Sequence, residues 1–566
     1  MKINKKIVLS ITLFLIIILV LGIPFYQWGF KNDDWSNLNN CIIKSYKDIL
    51  NYFTQGNIEC LYNPSNVDSS IKIQSFLQGL FRPLSFIYYL PQYFLFSTHA
   101  YGYYLTTIIF HALDTVILFN IFANFISIFF AFFASLFFAF HPSLWNWLGW
   151  TSAQTYQIEL FVFLISILFL KKYLDSGKIS FYLISCTLFT ANLFLKEQTI
   201  VFPFWVIFAI YFYEKTKNIK NVKFALKISI GYWLVALFYL ITRASMFPIN
   251  SNAKTFNCEL NVSSFLNRLI VRVFDFVTYI ADMLMLTWLP KNHQIINGLI
   301  ILIFIIIFLI LFIKNTIHLR QGYGGQEKIY ILFLLFSTII FSWPAILIQY
   351  QPRYIYMSIP FFILSLIILI SYSELNFNFI KNKKFLYALL TATTILFALF
   401  LYNKLKLREK VLNHITVSFK ELINNNTIQN QIKNKKPLCF IALPPYWFDM
   451  GTAQAMWFLT KDNSYPVYHF GAKIVEKNRH SYREIPQFNK NYLKVTLTKT
   501  DVEIESLNPE LLWFYENNIK LSKTKINIPQ KYLSENPIFI TWDYEKANFK
   551  ILDFNAKDLC DQKIIK

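Results

Sequence analysis

The chain has 566 residues, of which 55% are hydrophobic, 19% aromatic and only 15% charged. Soluble domains carry about 25% charged residues, so this composition excludes a soluble globular protein and makes a lipid bilayer the main solvent. The formal net charge of +22 lies largely in short Lys clusters between apolar runs, which reads as membrane topology and not as a nucleic-acid surface.

Lys2, Lys5 and Lys6 precede the apolar run Ile7–Ile23, and no small-residue cleavage site follows it. The sequence therefore predicts an uncleaved first span. An outer loop over residues 31–99 follows, opening with Asn32-Asp33-Asp34-Trp35 and carrying Phe81-Arg82-Pro83-Leu84. Further spans are predicted at Tyr101–Ile121, Phe125–Phe140, Tyr156–Leu170, Ile179–Leu195, Ile200–Tyr213, Phe224–Ile241, Ile295–Ile313, Ile329–Ile348, Tyr354–Ser371 and Phe385–Tyr402. With the first, that makes about eleven.

Phe265–Leu289 is also apolar, but Arg268, Arg272, Asp275 and Asp282 interrupt it. Leaving it out of the count puts the Lys and Arg clusters at 171–178, 215–223, 314–328 and 381–384 all on the cytoplasmic side, as the positive-inside rule requires. It is therefore expected to lie at the outer interface as an amphipathic helix within the loop 243–293. After Tyr402 the chain turns polar and rich in Lys and Asn. The expected organisation is a mainly α, polytopic membrane domain over 1–402 and a soluble extracytoplasmic domain over 403–566. In the latter, short apolar runs at Pro437–Leu443 and Pro537–Trp542 suit strands and Met450–Leu459 suits a helix, giving a mixed α/β domain. Cys41 with Cys60 and Cys439 with Cys560 suit disulfides in an oxidising compartment, and free buried thiols suit them equally.

In so apolar a chain the ionisable residues at span ends carry the information, because each costs desolvation energy unless paired or functional. Those on the cytoplasmic side are solvated Lys clusters. Those on the outer side are chemically mixed: Asp33-Asp34, Arg82, His141-Pro142, Lys196-Glu197, Arg243 and Arg353-Tyr354. Adjacent carboxylates hold a metal or divide the work of base and orienting group; helix capping or a solvated loop uses the same pair. Lys196 sits in a connection of about three residues and is held at the membrane surface, where it contacts a lipid phosphate or snorkels beside Glu197. Arg243, Arg353 and Arg82 have the same two readings. His111 and Asp114 share a helix face three residues apart and are expected to satisfy each other and neighbouring helices. His141-Pro142 with Trp145, Trp147 and Trp150 suits an interfacial aromatic belt or a sugar-stacking platform.

In order along the chain, the aspartate pair after the first span, Phe81-Arg82-Pro83-Leu84, His111, His141-Pro142 with Trp150-Thr151-Ser152, Leu195-Lys196-Glu197 and Pro352-Arg353-Tyr354-Ile355-Tyr356 resemble the GT-C fold glycosyltransferases. Within that fold the likeness is to transmembrane O-mannosyltransferases with tetratricopeptide repeats and bacterial relatives of the protein O-mannosyltransferases, over about residues 25–370. Asn146 and Gln154 stand where that group carries an acidic and a basic residue, and residues 403–566 replace its repeat tail. The resemblance implies an inverting transfer of a mannose-like sugar from a polyprenyl-phosphate donor to a hydroxyl of a protein or glycolipid acceptor on the extracytoplasmic face. It implies Asp33 as base with Asp34 in support, phosphate binding by Lys196, Arg243, Arg353 and Arg82, and supporting roles for Glu197, His141, Trp150 and Tyr354. No cofactor is demanded, although the Asp pair leaves room for a divalent metal. The competing expectations are a transporter or flippase of lipid-linked sugars and an enzyme of the O-antigen ligase or polymerase type.

The charge pattern makes a direct prediction about topology. A reporter fused after Lys566, or inserted near Asn257, is expected to report the extracytoplasmic side; a cytoplasmic reading at Lys566 would make Phe265–Leu289 a true span.

Overall fold

The computed structural model describes residues 5–30, 81–216, 222–246, 325–344, 352–372 and 383–443, short stretches between 34 and 53, and the helix and strands of the C-terminal part between 452 and 552. Asp33, the segment 265–289 and the span expected at 295–313 lie outside the described residues. The chain divides into two compact units, one of Met1–Tyr26 with Tyr104–Leu405 and one of Gln27–Tyr103 with Lys406–Lys566. The first outer loop therefore groups with the C-terminal residues, whereas the sequence had suggested a division only near residue 402.

The first unit is an assembly of apolar helices. It begins with α1 (Lys5–Ile17), which widens into a π-helical turn at Ile18–Gly22. The helix α2 (Pro83–Phe96) belongs to the second unit. Then come α3 (Ala100–Phe122), α4 (Ile128–Ala139), the short α5 (Trp145–Leu148), α6 (Thr155–Ser176), α7 (Ile179–Leu195), α8 (Phe202–Thr216) and α9 (Val222–Met246). The series closes with α10 (Gly325–Phe341), α11 (Ile359–Tyr372) and α12 (Lys383–Asn424). Among the described residues, five helical segments are long and apolar enough to cross a membrane, and shorter apolar helices accompany them.

The burial pattern shows which solvent they face. In α9, Ala225, Ile228, Tyr232, Ala236 and Tyr239 are buried at spacings of three or four, while Leu226, Ile230, Leu234, Leu237 and Ile241 on the remaining surface are exposed. In α1, Leu13, Ile17 and Leu21 are buried and Ile7, Ile11, Leu15 and Leu19 are exposed. Apolar stripes this long are unstable against water and stable against lipid tails. The chain is an integral membrane protein of mainly helical fold.

Helices α6 and α7 form an antiparallel hairpin. Gly177, at φ +69°, supplies the left-handed residue that ends α6, a conformation costly for any residue with a Cβ. Midway along the hairpin Ser166 and Ser185 bond to each other at 3.0 Å, and Ser185 bonds to the Tyr232 hydroxyl of α9 at 2.7 Å. Every polar group in hydrocarbon must find such a partner, which is why these serines lie between helices and not toward lipid. Trp205 of α8 likewise donates its indole N–H to Ser337 Oγ of α10 at 2.9 Å.

The second unit is built around the polar half of α12, which continues without a break past Tyr402 to Asn424. Helix α13 (Asn426–Lys433) follows, capped by the Asn425 side chain accepting from the Thr427 N–H. Strand β1 (Leu438–Leu443), helix α14 (Thr452–Thr460) and β2 (Val467–Lys473) form a β-α-β unit, with β1 and β2 parallel. After β3 (Leu493–Leu497), β4 (Val502–Ser506), β5 (Leu512–Glu516), β6 (Ile519–Ser522) and β7 (Lys525–Ile528), the strands β8 (Ile538–Asp543) and β9 (Asn548–Leu552) end the described chain. The main sheet has the order β6-β5-β2-β1-β8-β9, and β3-β4-β7 form a second, antiparallel sheet. β1 is flanked by parallel neighbours on both sides, and its first residues, Leu438, Cys439 and Phe440, are fully buried, as a central parallel strand requires. Cys41, Cys186 and Cys439 are free thiols, and the candidate partners Cys60 and Cys560 lie outside the described residues.

The packing of α7 on α9 is testable at one glycine. The Tyr182 hydroxyl donates to the Ile228 carbonyl at 2.8 Å, and a Cβ at Gly231 would collide with that same hydroxyl. Gly231→Ala is expected to destabilise the protein by about 1–3 kcal/mol through overpacking, and adding Tyr182→Phe to recover part of the loss, read as thermal unfolding in detergent.

Candidate functional site

At the end of the first unit opposite Gly177, the helices are joined by short, tight turns. They are 3₁₀ turns at Pro142–Leu144, Thr151–Ala153, Glu197–Val201 and Pro352–Ile355. Proline opens two of them, and each is too short to bury its own polar groups. Gln198 ties two together: its Nε2 donates to the Phe341 and Tyr354 carbonyls, both at 2.9 Å, while its backbone carbonyl accepts the Trp343 indole N–H at 2.8 Å. The Lys196-Glu197 turn and the Arg353-Tyr354 turn are thus held against each other.

Lys196 is 2% exposed. It caps α7, its backbone N–H donating to the Asn192 carbonyl at 2.8 Å, and its ammonium lies over the ring of Tyr156 in the first turn of α6. An aromatic face stabilises a cation that burial has stripped of water. The Tyr156 ring meets Tyr354 edge-on, 6.5 Å between centroids. Lys196, Tyr156, Gln198 and Tyr354 therefore form one cluster that joins three turns.

A second layer lies beneath it. Tyr356, two residues past Tyr354, is fully buried, meets Trp147 edge-on at 6.5 Å, and places its hydroxyl 2.8 Å from His111 Nδ1 and 3.0 Å from Asp114 Oδ2. His111 Nε2 is 3.0 Å from the Ala139 carbonyl. A carbonyl only accepts, so Nε2 carries a proton. The one phenolic proton of Tyr356 then serves either Asp114, with Nδ1 also protonated, or Nδ1, with Asp114 protonated. The network is electrically neutral in both arrangements, which is the condition for keeping a carboxyl group at zero exposure. His111 and Asp114 are thus joined through Tyr356, a partner that their sequence spacing alone does not reveal.

The other expected residues fall as follows. His141 is fully buried beside Pro142, its Nδ1 accepting the Ser143 N–H at 3.3 Å, and Trp150 is half-buried. Glu197 is half-buried at the start of its turn, and Arg243 is half-buried in the last turn of α9. The Arg353 backbone lies in the turn at Pro352–Ile355, its side chain being outside the described residues. In the second unit, Asp34 is buried at 1% exposure and Arg82 precedes α2, its carbonyl accepting from the Ser85 hydroxyl at 2.7 Å. Among the described residues there is no group of three or more His, Cys, Asp or Glu that would hold a metal ion. Sequence reasoning missed Tyr156 and Gln198; their only signal was position, beside Gln154 and next to Lys196-Glu197.

No family model matches the chain, and no curated protein matches it. Among solved structures, the crystal structure of ArnT from Cupriavidus metallidurans bound to undecaprenyl phosphate is similar at 12% identity and a TM-score of 0.43, over 82% of this chain and 89% of that one.

The Tyr356 bridge yields a stability prediction. Tyr356→Phe leaves two buried groups without their shared hydroxyl and is expected to cost about 1–3 kcal/mol for each. Tyr354→Phe, at a half-buried ring, is expected to stay within about 0.5 kcal/mol of wild type. Thermal unfolding of both variants in detergent makes the comparison.

Proposed function

We propose that the chain is a membrane glycosyltransferase that moves a sugar from a polyprenyl-phosphate donor to a hydroxyl group of a protein or glycolipid acceptor, with mannose the favoured sugar and the extracytoplasmic side the favoured face. The observation that carries this reading is the buried Lys196 in a turn strapped by Gln198 to the turn bearing Arg353. Two cationic residues on turns clamped together at one end of an apolar bundle suit the phosphate of a lipid whose chain lies among the helices.

In the proposed reaction the acceptor oxygen bonds to the anomeric carbon from the face opposite the phosphate, and the bond between that carbon and the phosphate oxygen breaks. The electron pair goes to the polyprenyl phosphate, whose growing charge Lys196 and Arg353 stabilise, with Arg243 and Arg82 as further phosphate ligands. The acceptor proton goes to Asp33, with Asp34 supporting. Glu197, His141, Trp150 and Tyr354 shape the turns. A divalent ion at the aspartate pair would assist the base by lowering the acceptor's pKa. A transporter of lipid-linked sugars is the second reading, favoured by the buried His111 and Asp114 within a span.

Transfer from radiolabelled polyprenyl-phosphate sugars to membrane extract tests the reading. Lys196→Ala and Arg353→Ala are each expected to lower use of the donor by about 2 kcal/mol, roughly thirtyfold, with Lys171→Ala at the other end of α6 as the unaffected control. Asp33→Asn is expected to lose on the order of 10² to 10⁴ in rate while donor binding survives. An Asp33→Asn protein that transfers sugar at the wild-type rate would remove Asp33 as the base, and a wild type that transfers no sugar would leave the transporter as the better reading.

A further inference from the structure

Buried polar atoms in folded proteins nearly always have a hydrogen-bond partner. Four side chains around Lys196 depart from this rule. Both carboxamide atoms of Gln154 and both of Asn192 make no hydrogen bond, and neither do Thr199 Oγ1 and Gln198 Oε1. All four residues are at most 2% exposed.

The hairpin brings the segments that carry them together. Ser166 faces Ser185, and Tyr156, ten residues before Ser166, faces Lys196, eleven residues after Ser185. Gln154 lies two residues before Tyr156 at the start of α6, and Gln198 and Thr199 lie two and three residues after Lys196 in its 3₁₀ turn. Asn192 lies one helical turn before Lys196 and accepts its backbone N–H. The open groups of these four residues therefore lie on the segments that carry Lys196 and its partner Tyr156, while others, such as Asp114 Oδ1 and the Trp147 indole N–H, lie elsewhere in the bundle.

Their chemistry selects a ligand. A carboxamide offers two N–H donors and a carbonyl acceptor, and a threonine hydroxyl donates and accepts. The set carries no formal charge and presents both polarities, which matches a ring of hydroxyl groups, each itself a donor and an acceptor. An ionic substituent would find no opposite charge among these four side chains.

We propose that Gln154, Asn192, Thr199 and Gln198 Oε1 form a subsite for a neutral, hydroxyl-bearing sugar, next to the phosphate position at Lys196. This rests on the lipid-phosphate reading above. It also accounts for Gln154: an arginine or lysine there would set a second charge against the sugar, whereas the amide supplies hydrogen bonds alone.

The test compares two lipids on the full chain in detergent, polyprenyl monophosphate and polyprenyl-phosphate hexose. The wild type is expected to bind the hexose-bearing lipid at least tenfold more tightly. Gln154→Leu and Asn192→Leu are each expected to lose about tenfold or more of that advantage, because each removes hydrogen bonds in a water-excluded site. Both are expected to keep their affinity for the monophosphate within about twofold. Without lipid they are expected to melt no lower than wild type, since an apolar side chain relieves the open amide of its desolvation cost. A hexose that adds nothing to wild-type affinity, or variants that melt lower and weaken both lipids equally, overturns the subsite and leaves water or packing as the role of the amides. Failure of the wild type to bind polyprenyl monophosphate would sink the donor reading itself, and the subsite with it.

Discussion

The first unit depends on one phenol. Within a bilayer there is no water to satisfy His111 or Asp114, and both are completely buried in α3. The Tyr356 hydroxyl bonds to both, and His111 reaches the Ala139 carbonyl with its other nitrogen. The consequences are geometric. Ala139 is two residues before His141, and Tyr356 is two residues after Tyr354, so one neutral network fixes the His141-Pro142 turn and the Arg353-Tyr354 turn relative to a single helix. Gln198 then fastens the Lys196 turn to the second of these. His111, Asp114 and Tyr356 would act on the proposed chemistry by holding the turns that bear the proposed phosphate ligands.

A different constraint organises the second unit. The residues just after the first span lie along α12: Gln27 N–H donates to Glu409 Oε1 and Phe30 N–H to Thr416 Oγ1, both at 2.8 Å. Seven residues separate the two acceptors, two helical turns on one face. Between them Gly29 approaches the Leu412 backbone so closely that no Cβ fits. Trp35 then packs edge-on against Phe30 and Phe419 and lies near Phe458 of α14. Asp34, next to Trp35, is buried.

Legibility in the sequence followed the strength of the local signal. Every predicted span within the described residues contains an apolar helix, although those expected at Phe125–Phe140, Ile200–Tyr213 and Tyr354–Ser371 begin in turns, and β1 with β8 was visible as two short apolar runs. The grouping of 27–103 with 406–566 was not visible. It rests on Glu409 and Thr416, polar residues in a stretch that composition marks only as non-membrane. The candidate site was half legible. Lys196 and Arg353 stand out as charges at span ends, but Tyr156, Gln198 and Tyr356 are ordinary residue types whose roles arise from contacts across 40 to 245 positions of sequence.

The two ends of the α6–α7 hairpin carry the same argument in one comparison. Both ends bear lysines. At one, Lys171 pairs with Asp175 at 2.6 Å with both side chains about half exposed, and Gly177 has open space around it; such a pair contributes little and needs no other explanation. At the other, about 33 Å away along a 22-residue helix, Lys196 is buried on an aromatic ring, on segments that also carry amides with open hydrogen-bonding groups. Burying a lysine and four polar side chains costs several kcal/mol, and stability alone would favour leucine at those positions. The fold accepts this cost at one end of the hairpin and avoids it at the other, and the asymmetry is what the proposed donor site rests on.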